Sequence, residues 1–468
     1  MYDGGPISAR LEAHTAAPEA LPPDLPPPPP RRAPSLAEAL LLTALSAPLP
    51  GLAHLRAGWV RTGTALLLAY GLALTAVVVI VCRTRSGLIE LAVRPGWLAT
   101  LVGVCVLAGV LWALLTLHSY LVLRPEALTP AGRVCGGIAA TALCLLAAAP
   151  ALTAARYGQL QRELVEGVFA EEPAAAGAPA ALPQADPFAR TRRLDVLLIG
   201  GDADVGRVGI RTDSMTLASV DTRTGNTVLF GLPRNLQKVP VPATRARFPA
   251  KELLNAVYHH GSVHPPAFGR PVRDPGAELL KRTVSRIVGR PVPYYAMVDM
   301  RSFRQIVDAM GGVRVCVERA VPVPRQQVPG GVLRPGCRRL SGREALWYGR
   351  SRTGSSDYSR MSRQKCLMWG LVRQASPMTV LRSFQRLSRV FRASVSTDIP
   401  RGLLPHLAGL SVRAKGADIT SLQFVPPLVN ASAPDYAAIR GLTARAIAES
   451  GSDSPGVSRV HMLNKTCT

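Results

Sequence analysis

The stretch Tyr348–Lys365, YGRSRTGSSDYSRMSRQK, sets Arg350, Arg352, Arg360, Arg363 and Lys365 against one carboxylate, Asp357. Arg350 and Arg352 are two apart, so an extended segment projects both to one face. Arg360 and Gln364 are four apart and share a face of a helix. Gly354 and Ser355-Ser356 supply a turn between the halves. Guanidinium groups converging from both halves make a fork for a pyrophosphate, through bidentate charge-assisted hydrogen bonds. A solvated basic loop explains the charge too, but not the pairing on both halves.

Three more positions carry candidate chemistry. Asp202 directly follows the apolar run LDVLLIG and a second glycine, and Asp213, in Arg211-Thr212-Asp213, directly precedes SMTLASVD. If the two runs are neighbouring strands, both aspartates reach one sheet edge. Two carboxylates there suit a hard divalent cation such as Mg²⁺, which keeps waters and substrate phosphate as its other ligands. Two ordinary turn aspartates would have the same spacing. Arg234 follows Pro233 at the end of TVLFGLP, a placement suited to a phosphate contact or to a plain surface arginine. GGDADVG is no dinucleotide fingerprint, and no G-x-S-x-G elbow occurs. His259, His260 and His264 lack Cys or carboxylate at zinc spacing.

These residues need strands and helices to hold them. LDVLLIG, SMTLASVD and TVLFGLP read as strands, the last two joined by a Thr224-Gly225-Asn226 turn. Helical spacing marks Lys251–His259, Pro275–Gly289 with its Gly stop, Arg301–Met310 and Ser341–Tyr348. Pro293–Met300 and Val313–Val317 read as further strands. Strands interleaved with helices imply an α/β domain over about 191–450.

The 468 residues carry a net charge of +25. Nearly all the basic residues are Arg and only six are Lys, a coding bias that inflates charge without a ligand, so no nucleic-acid partner is expected. Three uncharged apolar runs are long enough to cross a bilayer, at about 63–82, 97–117 and 135–155. Leu36–Leu49 is apolar but short and reads as an interfacial or re-entrant helix. The expected order is a disordered Pro-rich tail (1–35), a membrane region (36–155), a linker (156–190) with Ala and Pro over 173–187, the α/β domain, and a tail (451–468). Flanking arginines leave the orientation undecided.

Taken in order, LLIGGD, RTDSMTLASVD, GLPRN, LLNAVYHHG, PVPYYAMVDMRSF, VDAMGGVRVCV, LSGREALWYGRSR and SDYSRMSRQ resemble the LytR-CpsA-Psr (LCP) family of cell-envelope proteins. The resemblance covers Arg192 to Lys365 in detail and extends weakly to Ile447. It implies a membrane-anchored α/β protein whose domain has a central mixed sheet flanked by helices. The N-terminus would be cytoplasmic and the domain extracytoplasmic. It implies a phosphotransferase that moves an anionic glycopolymer from a polyprenyl-pyrophosphate carrier to peptidoglycan. A lipid pyrophosphatase, or a non-enzymatic membrane-bound regulator, are the alternatives. By matching motifs, Asp202 and Asp213 would hold Mg²⁺, and Arg211 and Arg234 would bind the pyrophosphate. Arg350, Arg352, Arg360 and Gln364 would complete the clamp, with Arg363 and Lys365 as local fill. Helices around Pro275–Gly289 and Phe303–Met310 would wall a groove for the lipid tail. Cys316 and Cys337, bracketing PVPRQQVPGGVLRPG, are the implied disulfide, pinning that excursion beside the site.

Two departures from the family pattern stand out. Asn235 occupies the place of an aspartate after Pro-Arg. Leu253 stands where a lysine usually lies two residues before the Asn of L-N-A, and Lys251 lies two earlier, rotated away on a helix.

Overall fold

A computed structural model describes residues 32–83, 93–169, 188, 191–202, 211–244, 246–265, 272–374, 377–450 and 461–462. The expected Pro-rich tail, Ala/Pro linker and C-terminal tail fall largely outside these. The chain divides into two compact units, 1–78 with 107–150 and 79–106 with 151–468.

Among the described residues, three helices are long and apolar enough to cross a membrane: Val60–Ile80, Pro95–Leu123 and Pro130–Val168. Helix Leu36–Ser46 has 11 residues, about 16 Å at ~1.5 Å per residue, against a hydrocarbon core of ~30 Å. In the first unit its C-terminal Ala47 carbonyl accepts a 2.9 Å bond from Trp112 Nε1. His54 and His118 bring ring nitrogens to 2.9 Å. Polar groups in an apolar setting need such partners.

The second unit is built on a seven-stranded mixed sheet. Its strands are β1 (Arg193–Gly201), β2 (Thr212–Asp221), β3 (Thr227–Leu232), β4 (Tyr294–Asp299), β9 (Val395–Thr397), β10 (Ile419–Gln423) and β11 (His461–Met462), in the order β11-β10-β3-β2-β1-β4-β9. β1/β4 and β3/β10 are parallel, and the other neighbours antiparallel. β5 (Val313–Val317) pairs with β8 (Gly336–Leu340), and β6 (Val321–Pro322) with β7 (Val332–Leu333), in two small ribbons. Gly225 makes the β2–β3 turn with φ 85°, and a Cβ there would meet the Arg413 and Ala414 backbone at 2.6 Å, so only glycine fits.

Strand alternation gives the sheet two different faces. Leu197, Ile199, Met215, Leu217, Val228 and Phe230 point into the main core. Helix Pro275–Val288 covers that face with Leu279, Leu280, Val284 and Ile287 fully buried. It starts at Asp274, whose carboxylate caps Ala277 N, and stops at Gly289 with φ 71°. The expected role of this helix as a groove wall is not found: its apolar stripe is consumed by the core, and none of its residues lines the cavity on the other face of the sheet.

A buried ionic knot fastens the same helix. Lys281 Nζ lies 2.9 Å from Glu278 Oε2, bonds Asp398, and donates to Pro293 O at 2.8 Å. Burial raises the Glu278 pKa, but bonds from Lys281 and Arg282 outweigh it and hold it below the ordinary glutamate value. A depressed carboxylate stabilises the fold above its unfolded pKa, and that contribution fades as pH falls through the folded value. Lys281→Met leaves Glu278 buried with its main counter-charge gone. The expected loss in chemical denaturation at pH 7 is about 3–5 kcal/mol, shrinking near pH 4 as the carboxyl protonates. An equal loss at both pH values would contradict the knot's role.

Candidate active site

β1 and β2 are adjacent antiparallel strands, and Gly201 faces Thr212 across a bulge. Asp202 N donates to Arg211 O at 2.8 Å, so Asp202 and Asp213 share one sheet edge. Asp202 is buried, and Asp213 is about a quarter exposed.

Arg234, at the end of β3, donates from Nη1 to Asp213 Oδ1 at 2.6 Å. Its Nε lies 3.3 Å from Asp357 Oδ1. Arg360, only 3% exposed, donates to Asp213 O and to Asp357 Oδ2, both at 3.0 Å. The chain of contacts Asp213–Arg234–Asp357–Arg360 thus joins β2, β3 and helix Asp357–Gln374. Burial disfavours the charged form of Arg234, but the bond and charge of Asp213, then those of Asp357, outweigh it and hold its pKa above the ordinary arginine value. Burial pulls the Arg360 pKa down, countered in part by Asp357. Arg360 Nε is buried with no hydrogen-bond partner among the described residues. It is a donor open to an anionic ligand.

Arg350 enters from helix Gly342–Arg350. A Ser341/Glu344 capping box starts this helix. A Cβ on Gly342 would meet Arg304 O at 2.1 Å, so glycine alone permits its close approach to helix Met300–Ala309. Arg350 stacks 5.2 Å from the Trp347 ring centre and brings Nη2 to 3.7 Å from Asp202 Oδ1. The extended geometry expected for Arg350 and Arg352 is not found. The helix runs through Arg350 and ends at Ser351, so the two arginines diverge and Arg352 is exposed in the turn.

Gln364 shares the Arg360 helix as expected, and its amide donates to Gly349 O at 3.0 Å, holding the end of the Arg350 helix. Arg363 donates to Tyr348 O at 2.7 Å and also to Ser351 O. It ties the turn to the helix. Arg211 and Lys251 are both exposed, and no ion pair joins either to the cluster among the described residues. Asn255 N donates to Arg234 O at 3.1 Å, which sets the L-N-A segment behind Arg234. Asn235 Oδ1 is buried without a hydrogen-bond partner among the described residues. Asp213 and Asp357 already flank Arg234, so the Asn at 235 does not leave that arginine without a carboxylate. Asp357 is the residue that sequence reasoning missed. Its only signal was a lone carboxylate three before Arg360 at a helix start.

The cluster sits at the mouth of a cavity of about 390 Å³. The sheet contributes its second face, Leu198, Thr216, Leu229, Ala296 and Val298. Phe303 and Ile306 of helix Met300–Ala309, with Met361, Met368 and Leu371, form the facing wall. The expectation for the Phe303–Met310 helix as a cavity wall agrees with this placement. The Cys316–Cys337 disulfide bridges paired positions of β5 and β8. Ser351 Oγ donates to Pro322 O in the bracketed excursion, next to Arg350.

A mixed sheet flanked by helices is the architecture the motif order implied. The LytR_cpsA_psr family pattern matches residues 167–438, more than half the chain, and the chain belongs to that family. It is 30% identical over 224 residues to the probable cell wall biosynthesis protein LcpB of Corynebacterium glutamicum, covering 47% of this chain and 47% of that protein. It is 26% identical over 252 residues to the polyisoprenyl-teichoic acid–peptidoglycan teichoic acid transferase TagU of Bacillus subtilis, covering 51% of this chain and 72% of that one. The chain thus spans about half the length of the first relative. The crystal structure of B. subtilis TagV aligns with a TM-score of 0.41 at 22% identity, over 56% of this chain and 99% of its own.

Asp357→Asn removes the charge between two partly buried guanidinium groups. Thermal and denaturant unfolding should show a loss of about 3 kcal/mol, whereas exposed Arg352→Ala changes stability by less than about 0.5 kcal/mol. Equal effects of the two would contradict the ion-pair chain.

Proposed function

We propose that this protein is a membrane-anchored phosphotransferase that moves a glycopolymer from a polyprenyl-pyrophosphate carrier to peptidoglycan, with its N-terminus cytoplasmic and its α/β domain outside. One observation carries the reading: Asp202, Asp213, Arg350 and Arg360 line one apolar cavity, with Arg234 bonded to Asp213. The arginines suit a pyrophosphate, and the cavity suits the first part of an isoprenoid. A methylene fills about as much space as a water, ~30 Å³, so the cavity seats roughly a dozen carbons, the first two or three isoprene units. The relatives named for cell-wall assembly and for teichoic acid transfer support the same class.

Asp202 and Asp213 fit Mg²⁺. They offer hard oxygens at one edge, and the ion needs only one or two carboxylates when phosphate and water complete its shell. Bound there, it would supply charge neutralisation of the pyrophosphate. The protein's own groups do the rest. Arg350 and Arg360 bind the phosphate oxygens and stabilise their charge as a sugar hydroxyl attacks phosphorus and polyprenyl phosphate leaves. Arg234, held by Asp213 and Asp357, fixes the spacing of the edge. The apolar cavity walls exclude water from the lipid side.

The test supplies a polyprenyl-pyrophosphate sugar and Mg²⁺ to sealed right-side-out vesicles carrying the protein, with soluble peptidoglycan outside. Transfer to the glycan should proceed without permeabilisation. Arg350→Ala and Asp213→Ala should each lower kcat by about 10²–10³-fold. Retained turnover in both variants would refute the site, a need for permeabilisation would refute the orientation, and release of sugar phosphate with no transfer to the glycan would identify a hydrolase.

A further inference from the structure

Helix Asp357–Gln374 separates two compartments. Arg360, Met361, Gln364 and Met368 line the apolar cavity. Ser359, Ser362 and Arg363 line a second groove of about 1020 Å³. At 3.6 residues per turn these sets lie on roughly opposite faces. Lys365, between them, borders both spaces, as do Ser421 and Gln423 of the neighbouring sheet strand. The groove therefore adjoins the cluster without being part of the lipid cavity.

Its chemistry differs from the cavity's. Ser355, Ser356, Ser359 and Ser362 are exposed along one side. Ser356 Oγ lies 3.1 Å from Ser359 Oγ, and Ser362 Oγ lies 3.5 Å from Gln423 Oε1. The lining also includes Pro322, Pro426 and Pro427. Hydroxyls that both donate and accept, together with apolar proline rings, match the hydroxyl edges and C–H faces of sugar rings. A lipid tail would leave those hydroxyls without partners. Of the basic side chains in the lining, Arg363 is already committed to the Tyr348 and Ser351 carbonyls, which leaves Arg319 and Lys365 to meet any phosphate carried by the glycan. A nucleobase finds no open aromatic face, since Tyr348 is 4% exposed.

We infer that this groove binds a glycan chain and presents it to the neighbouring arginine–carboxylate cluster, an inference that rests on the phosphotransferase reading. The glycan could come from the acceptor strand or from the carrier-linked polymer, and two probes separate these. Full-length protein in nanodiscs is titrated with an N-acetylhexosamine tetrasaccharide and, separately, with a lipid-free phosphodiester-linked glycan oligomer. Binding of the first assigns the groove to the acceptor, and binding of the second alone assigns it to the donor. Ser359→Trp should weaken whichever binds at least tenfold, and the double truncation Ser359→Ala/Ser362→Ala should weaken it several-fold without adding bulk. Neither saccharide binding at millimolar concentration, or wild-type affinity in both serine variants, would overturn the inference. These titrations need no turnover. Glycan binding with no transfer activity would count against the phosphotransferase reading alone. Transfer with an unchanged KM for both glycans in Ser359→Trp would count against the groove alone.

Discussion

The ion-pair chain Asp213–Arg234–Asp357–Arg360 is the constraint on which the site depends. It joins the start of β2, the end of β3 and the first turns of helix Asp357–Gln374. Two carboxylates between two guanidinium groups offset the cost of bringing each charge partly out of water. The alternation also fixes direction. Arg360 cannot leave its place without taking one of two counter-charges from Asp357, and Arg234 cannot without taking the side-chain partner of Asp213. A cluster so held is preorganised for an anion that arrives later, which is where electrostatic stabilisation of a reacting phosphate is most effective.

The second constraint is the sheet itself. One face is spent on the core under helix Pro275–Val288, and the other carries smaller or half-buried side chains under a roof of helices. The same strands that end in Asp202 and Arg234 therefore also floor the cavity. The arginine–carboxylate cluster and the apolar cavity are neighbours because they are built from consecutive stretches of the same strands. Helix Asp357–Gln374 then divides the space above, apolar and arginine-bearing toward the cavity, serine-bearing toward the outer groove.

Much of this was legible before any coordinates. Short apolar runs ending in Gly-Gly-Asp and Pro-Arg placed Asp202 and Arg234 at strand ends, and the paired runs did bring Asp202 and Asp213 to one edge. The Pro start and Gly stop bounded helix Pro275–Val288. Failures came where tertiary contacts decide. The capping box carries the Gly342 helix through to Arg350, so a spacing that suits an extended strand was misread. The apolar stripe of helix Pro275–Val288 could not announce which face of the sheet it would cover. Asp357 was passed over because its role depends on Arg234, 123 positions earlier in the chain, a pairing no local pattern encodes. Asn235, a departure from the family pattern, adjoins an arginine that two carboxylates, Asp213 and Asp357, contact.

The most direct test of the central claim, that one site reads pyrophosphate and isoprenoid together, is calorimetric titration of the full chain in nanodiscs with a C15 isoprenyl pyrophosphate. The account predicts saturable binding that is lost with the C15 alcohol, lost in Arg350→Ala, and lost in Thr216→Trp, which fills the cavity floor without touching the arginines. Equal binding of the alcohol, or wild-type affinity for the pyrophosphate in both variants, would contradict it.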